Sequence, residues 1–397
     1  MKKDKLCLTV IGSLFALLVV GQTNKSSMKQ LINDNMQYAA GQYKVLMQQV
    51  PPEEMPRSYN DSTKQLVTSN TSWWCSGFYP GTLWMIYDAT RDEAINQEAE
   101  KRLAILEKEK NNTGTHDLGF MMLCSFGNAY KITKNPAYKE VISTAAASLS
   151  TRYRPSIESI QSWNKSEKFN CPVIIDNMMN LELLEWVAKN GGDDKFHQIA
   201  VSHANTTIKN HYRSDYSSYH IVDYDLETGH VIKKVTHQGY ADESAWARGQ
   251  VWGLYGFVTM YRFTKDEQYL SQAKHIAQFL LNHPNLPADK IPYWDFNAPD
   301  IPNALRDASA GAIMASALLE LGQYTKGKEK QGCITAAETM IRSLSSPAYR
   351  AAPGTNGGFL LEHSVGHLPG HSEIDVPLTY ADYYFIEALA RYKKWYL

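Results

Sequence analysis

The sequence predicts an all-α protein, an (α/α)6 barrel of six helical hairpins with one small β-hairpin inserted near residues 219–235. Three observations carry this. Apolar residues recur at three- and four-residue steps over 143–152, 180–189, 197–210, 268–282 and 315–324, the period of a helix with one buried face. Six other segments open on polar or aromatic residues and run into small, apolar ones, at intervals of about 40–75 residues, which is room for one inner helix, one outer helix and their loops. No Pro/Gly/Ser-rich linker interrupts this pattern.

In order, the six segments are Trp74-Cys-Ser-Gly-Phe-Tyr-Pro-Gly-Thr-Leu-Trp84, His116-Asp-Leu-Gly-Phe120, Ile175-Asp-Asn-Met-Met-Asn-Leu181, Ser244-Ala-Trp-Ala-Arg-Gly-Gln-Val-Trp-Gly253, Arg306-Asp-Ala-Ser-Ala-Gly-Ala-Ile313 and Tyr380-Ala-Asp-Tyr-Tyr384. Each reads as the start of a helix buried on most sides. An open superhelical array is the rival arrangement, and the count of six favours closure. The stretch from Tyr219 to Val235 alternates instead and turns at Glu227-Thr-Gly229, so it reads as a hairpin at the barrel rim.

Composition narrows the function. The chain has 397 residues, 44% of them apolar, enough for a large core and incompatible with disorder. Its formal net charge of −1 offers no basic excess for nucleic acid. Nine Trp and 24 Tyr supply flat amphipathic rings that suit thick cores and sugar-binding clefts. Residues 1–21 read as a signal peptide: Lys2, Lys3 and Lys5 precede an apolar run too short for a membrane span, and Val19-Val20-Gly21 offers a cleavage site before Gln22. Residues 22–397 then form a single barrel domain, expected to be exported, to the periplasm of a bacterium, with no membrane span after cleavage. Cys75, Cys124, Cys171 and Cys333 are widely spaced, with no C-x-x-C pair. They are expected as free buried thiols rather than zinc ligands, and no metal or cofactor is expected.

Polar residues at the starts of inner helices converge at one end of such a barrel. Asp117 and Asp176 both fall there. Helix capping is the plain alternative for each. Asp176 has apolar neighbours on one side, Val173-Ile-Ile175, which would raise its pKa and suit a general acid. Arg248 and Trp252 share a helix face, and with Gln238 and His220 they offer a cation, an aromatic plate and hydrogen-bonding groups, a set that fits a carboxylated sugar. Trp73, Trp74 and Phe78 form an aromatic patch, and Trp163 sits in a polar loop.

These blocks, in this order, resemble glycoside hydrolase family 88, the unsaturated glucuronyl hydrolases: His116-Asp-Leu-Gly-Phe120, Ile174-Ile-Asp-Asn-Met-Met-Asn-Leu181, Trp246-Ala-Arg-Gly-Gln-Val-Trp-Gly-Leu-Tyr-Gly256 and Tyr380-Ala-Asp-Tyr-Tyr384. The likeness runs from about Tyr59 to the C-terminus. The resemblance implies an (α/α)6 barrel that removes the 4,5-unsaturated uronic acid left by polysaccharide lyases at the non-reducing end of glycosaminoglycan fragments. It implies Asp176 as general acid/base and Asp117 as the assisting carboxylate. His220, Gln238, Arg248 and Trp252 match substrate-contacting positions, and Trp74, Phe78 and Trp163 match aromatic contacts. The implied reaction protonates C4 of the C4=C5 vinyl ether and adds water at C5, so the carboxylate-spacing rule for ordinary glycosidases does not apply.

One departure stands out. Some members bind substrate sulfate through an Arg just before the matching Gln and a Ser-x-x-Ser-x-Lys segment. Here His237 precedes Gln238, and the later segment reads Ser364-Val-Gly-His367-Leu-Pro369, keeping only Ser364. Alternatives on the same fold are a hydrolase for unsaturated galacturonyl or rhamnogalacturonyl groups, a sugar epimerase, and a non-catalytic exported glycan-binding protein. Paired carboxylates argue against the last.

Overall fold

The computed structural model describes residues 28–397, so the signal segment expected at residues 1–21 lies outside the described residues. Outer and inner helices alternate along the chain. They are α1 (28–47), α2 (Phe78–Thr90), α3 (Glu93–Leu106), α4 (Asn128–Thr133), α5 (Pro136–Ser150), α6 (Asn177–Lys189), α7 (Lys195–His211), α8 (Ala247–Thr264), α9 (Glu267–Asn282), α10 (Ala308–Tyr324), α11 (Gly327–Leu344) and α12 (Thr379–Tyr396). The even-numbered helices line the barrel and the odd-numbered ones surround it.

Side-chain size sorts the two layers. In α10, every residue from Ala308 to Gly322 is buried, and its many Ala, Ser and Gly residues let neighbours approach on all sides. In α9 burial follows one stripe through Tyr269, Leu270, Ala273, Ile276, Ala277 and Leu280, and the other face is polar. Three outer helices start on side-chain caps: Asp92, Asn135 and Asp266 each accept the backbone N–H two residues on.

The inner helices contact one another in sequence, and α12 returns to pack on α2. That contact closes the ring and decides against an open superhelix. Among the described residues, no helix is long and apolar enough to cross a membrane. Cys75, Cys171 and Cys333 are buried free thiols, and Cys124 is a half-buried one.

One inner element departs from the expected α-helix. Gly119–Gly127 is a π-helix that runs directly into α4. It lies against α6 so closely that a Cβ on Gly119 would sit 2.6 Å from the Cα of Asn180. Asn180 Oδ1 accepts the Phe120 N–H at 2.9 Å. The wide turn and the missing side chain together bring the segment carrying Asp117 against the start of α6.

Among the described residues, four small sheets decorate the rims. They pair β1 (Met55–Asn60) with β2 (Gln65–Ser69), β3 (Tyr153–Arg154) with β4 (Ser159–Ile160), β5 (Cys171–Ile174) with β6 (Ile221–Tyr224) and β7 (Val231–Val235), and β8 (Ser364–His367) with β9 (Ser372–Val376). The hairpin expected at 219–235 is β6–β7. Its turn is held by Asp225, whose Oδ1 accepts the N–H groups of Glu227 and Thr228 at 2.9 Å, and Gly229 takes a positive φ of 75°. The sequence reading did not foresee β5 as its third strand, nor the β1–β2, β3–β4 and β8–β9 pairs.

Candidate active site

The three-stranded sheet builds half of the site. Ile174 pairs with Ile221, so one step on, the Ile175 N–H bonds the His220 carbonyl at 3.0 Å. Asp176 follows, at the junction of β5 and α6, and faces the His220 ring: Asp176 Oδ2 lies 3.9 Å from His220 Nε2. On the other edge Ile221 pairs with Val235. The chain then turns the N–H groups of His237 and Gln238 onto His220 Nδ1, at 3.1 and 3.2 Å. An atom that accepts two N–H bonds carries a lone pair, so the proton of neutral His220 sits on Nε2 and points at Asp176. Burial, then His237 and Arg248, press its pKa well below the ordinary imidazole value, which keeps it neutral.

Asp176 does not cap α6; its side chain makes no bond to the helix N-terminus. Among the described residues, Oδ2 is buried without a hydrogen-bond partner, as is His220 Nε2. Burial raises the Asp176 pKa to about 6; the charges of His116 and Arg248 pull it down and that of Asp117 pushes it up. Asp382 is a useful contrast. Its carboxyl is also buried and raised to about 7. However, it accepts the N–H groups of Leu360 and Leu361 and the Tyr43 hydroxyl, so it pins a loop and has no free oxygen for chemistry.

Asp117 also does not act as a cap. Its carboxylate accepts the Thr115 hydroxyl at 2.7 Å and lies 3.1 Å from His116 Nε2. His116 Nδ1 reaches Asn177 Oδ1 at 2.7 Å, and Asn177 Nδ2 donates to Ile160 O and Ser162 Oγ. Burial opposes charge on His116, but the charge and hydrogen bond of Asp117, helped by Asp176, outweigh it and raise its pKa. The sequence reading missed His116 as a site residue, although it stands next to Asp117.

Arg248, read in the sequence as the cation for a carboxylated sugar, is already engaged within the fold: Nη1 donates to Asp307 Oδ2 at 3.1 Å and to Val365 O at 2.5 Å, and Nη2 donates to Gly366 O at 2.6 Å. The guanidinium is 1% exposed and lies over the rings of Trp246 and Tyr380. Its first role is to tie α8, α10 and β8–β9 together beneath the cleft. Asp307, which caps α10 through Ser309, was not foreseen as its partner.

The aromatic expectations divide in the same way. Trp252 and Phe78 are fully buried. Trp252 packs on Phe120 and Tyr384, and Phe78 on Phe120, Tyr380, Tyr383 and Tyr384. Both belong to the floor rather than to an open plate, although among the described residues Trp252 Nε1 has no hydrogen-bond partner. Trp74 stays partly exposed above them, 5.0 Å from Tyr380. Trp163 stands half-buried against Phe169, and Gln238 bonds Gly366 O at 3.0 Å. Ser364 is buried and, among the described residues, its hydroxyl is unpartnered.

A separate cavity of about 650 Å3 opens at the other end of the inner helices, lined by Glu182, Arg262, Glu320, Glu387 and Arg391. Its charges pair with one another. Among the described residues, none of its lining side chains is a buried polar group left without a partner. At the opposite end, by contrast, Asp176 Oδ2 and His220 Nε2 face each other, both buried and, among the described residues, without a hydrogen-bond partner.

The family model of Glycosyl Hydrolase Family 88 matches residues 47–318. The chain belongs to this family. It is 42% identical over 396 residues to an unsaturated glucuronyl hydrolase of Formosa agariphila, covering 98% of each chain. It is 36% identical over 349 residues to an unsaturated chondroitin disaccharide hydrolase of Streptococcus agalactiae, covering 86% of each. Among solved structures, an unsaturated glucuronyl hydrolase specific for heparin superposes with a TM-score of 0.89 at 44% identity, over 92% of this chain and 97% of that one. A variant of the Streptococcus agalactiae enzyme complexed with dGlcA-GalNAc6S superposes with a TM-score of 0.79 at 32% identity, over 92% of both chains. The protein is thus a family 88 glycoside hydrolase with the (α/α)6 fold.

Two outcomes follow for this family 88 site. Arg248→Ala leaves Asp307 buried without its cation, and should lower unfolding free energy by about 3–5 kcal/mol in urea titrations; an unchanged midpoint would show that the pair contributes nothing. Asp176→Asn should act through pH. The stability contributed by the protonated carboxyl is complete below its unfolded pKa near 4 and is lost as pH rises through about 6. The Asn side chain does not titrate, so the variant should gain on wild type by on the order of 2 kcal/mol between pH ~4 and ~7.5. Parallel stability curves over that range would refute the raised pKa.

Proposed function

We propose that the enzyme releases the 4,5-unsaturated uronic acid from the non-reducing end of lyase-generated glycosaminoglycan oligosaccharides, by hydration of the C4=C5 bond. The observation that carries the reading is Asp176: a buried carboxyl with a pKa near 6 and an unpartnered oxygen, facing the Nε2–H of a neutral His220. The names of the relatives support the substrate class.

The chemistry follows from the substrate. Its C5 bears the ring oxygen, the carboxylate and one end of the double bond, so the bond is a vinyl ether. Asp176 protonates C4, and positive charge develops at C5, shared with the ring oxygen. The Asp176 carboxylate then takes a proton from water as that water adds to C5. The resulting hemiketal opens and expels the remaining sugar. One residue gives and then recovers the proton, so no covalent intermediate forms. The His220 Nε2–H steadies the carboxylate once the proton has left, and the adjacent Asp117 helps to keep Asp176 protonated until the alkene is in place.

The reaction is checked in water carrying heavy oxygen. The label should enter the unsaturated sugar at C5, saturated glucuronides should not react, and turnover should fall as pH rises through about 6. Asp176→Asn should lose at least ~10²-fold in kcat with binding retained. Label at C1, or near-normal turnover by the variant, would overturn the mechanism.

We also infer that the protein is exported, to the bacterial periplasm, supported by the basic and then apolar residues before Gln22. N-terminal sequencing of the protein from its native cells should begin at Gln22. A chain that keeps its first residues and stays with the cytoplasm would refute export.

A further inference from the structure

A buried amide stands behind the site, and the mechanism does not use it. Asn177 is the first residue of α6, directly after Asp176, and it is fully buried. Its Nδ2 donates to Ile160 O at 2.9 Å and to Ser162 Oγ at 3.0 Å. A carbonyl only accepts, so the amide cannot be turned over, and Oδ1 is the atom that faces His116 Nδ1 at 2.7 Å. The anchor is itself fixed. Ile160 ends β4 and donates its N–H to His203 Nδ1, on α7, at 3.0 Å. Ser162 Oγ also accepts the Ile174 N–H, at 2.9 Å.

These bonds settle both protons of His116. Asn177 Oδ1 only accepts, so His116 Nδ1 carries a proton. His116 Nε2 lies 3.1 Å from Asp117 Oδ1, and a carboxylate also only accepts, so Nε2 carries a second one. An imidazole that faces an acceptor at each nitrogen is an imidazolium. Burial opposes that charge, but Asp117, then Asp176 and Asn177, favour it and prevail. The other groups nearby leave it in place. His203 is close enough to feel the charge, yet burial presses its own pKa down to about 3, so it stays neutral. Arg152 and the buried Cys75 thiol both feel Asp117. Arg248 acts on Asp176 but is paired with Asp307.

We propose that Asn177 is a positioning residue for the acid: by holding His116 with both its protons, it keeps a fixed cation beside Asp117, and that cation tunes Asp176 between acid and base. The inference rests on the proposed reaction and adds the residue that sets its charge balance. Anions crowd this end of the barrel. Asp117, the substrate carboxylate and, once it has given its proton, Asp176 are all negative. Burial raises the Asp176 carboxyl, and His116 is the strongest of the charges that bring it down. With a neutral ring in that place Asp176 would hold its proton to higher pH and release it less readily to the alkene. Asn177 therefore acts through His116 and touches neither the substrate nor the reacting atoms.

Nitrogen-15 NMR of histidine-labelled protein tests the first step, with His116→Gln identifying the resonances. In wild type both ring nitrogens of His116 should be protonated at pH ~7.5, above the ordinary imidazole value. In Asn177→Leu, which keeps the size of the side chain and removes the acceptor, one of them should be bare. A neutral His116 in wild type overturns the proposal, whether or not either variant folds. The pH profile of kcat on an unsaturated disaccharide tests the second step. In Asn177→Leu the loss of turnover toward alkaline pH should move upward by on the order of one unit, the scale of one nearby charge, with kcat lowered by up to ~10²-fold. His116→Gln should move it by the same amount, and the double variant no further, because the two residues act as one unit. A lowered kcat with the alkaline limb in its wild-type place would make Asn177 a packing residue and overturn the proposal. If wild type cleaves no unsaturated disaccharide, the reaction reading fails instead, and the nitrogen spectrum still decides the charge on His116.

Discussion

The buried pair of Arg248 and Asp307 holds the cleft together. Two charges removed from water carry a large desolvation cost, and their attraction offsets it only when the remaining hydrogen-bonding capacity is satisfied. Here it is: Asp307 also caps α10, and Arg248 also bonds two carbonyls of β8. One guanidinium thereby joins two inner helices to the hairpin that forms the cleft wall. The same charge reaches Asp176. Burial lifts that carboxyl, Arg248 and His116 lower it, Asp117 lifts it again, and the result is a value near 6. A deeper site without the cation would hold the acid too tightly protonated to work as a base. A wetter one would leave it ionised.

Strand register does the rest of the positioning. Asp176, His220 and Gln238 lie far apart in the chain, yet the pairing of β5 with β6 and of β6 with β7 sets them side by side. The sheet also fixes a proton position, because two backbone donors on Nδ1 leave Nε2 as the protonated nitrogen of His220. A side chain alone does not select its tautomer; the backbone geometry around it does.

The aromatic residues show how far a sequence pattern reaches. The sequence showed Trp74 and Phe78 as one aromatic patch and Trp252 as a plate beside Arg248, and the structure joins all three through Phe120, Tyr380 and Tyr384. Which of them meets a ligand was not legible. Trp74 keeps an open face, and the other two are covered from every side. Exposure depends on what the remaining hairpins bring to the same place, and residue type does not encode that. Arg248 is the same case: the sequence placed it on the right helix face, and its partners Asp307, Val365 and Gly366 came from elements 59 residues or more away.

The helical class, the six hairpins, the β6–β7 insertion and the two carboxylates were legible from residues alone, because each is written in local periodicity or in a short run of residues. The sequence also carried the resemblance that led to the family. Ring closure, the π-helix and the third strand came only with the fold, because each depends on contacts between distant segments. The fold alone separated Asp176 from Asp382, two buried aspartates with raised pKa values. One is saturated by backbone donors and the other is not, and that difference lies in the chain folded around each carboxyl.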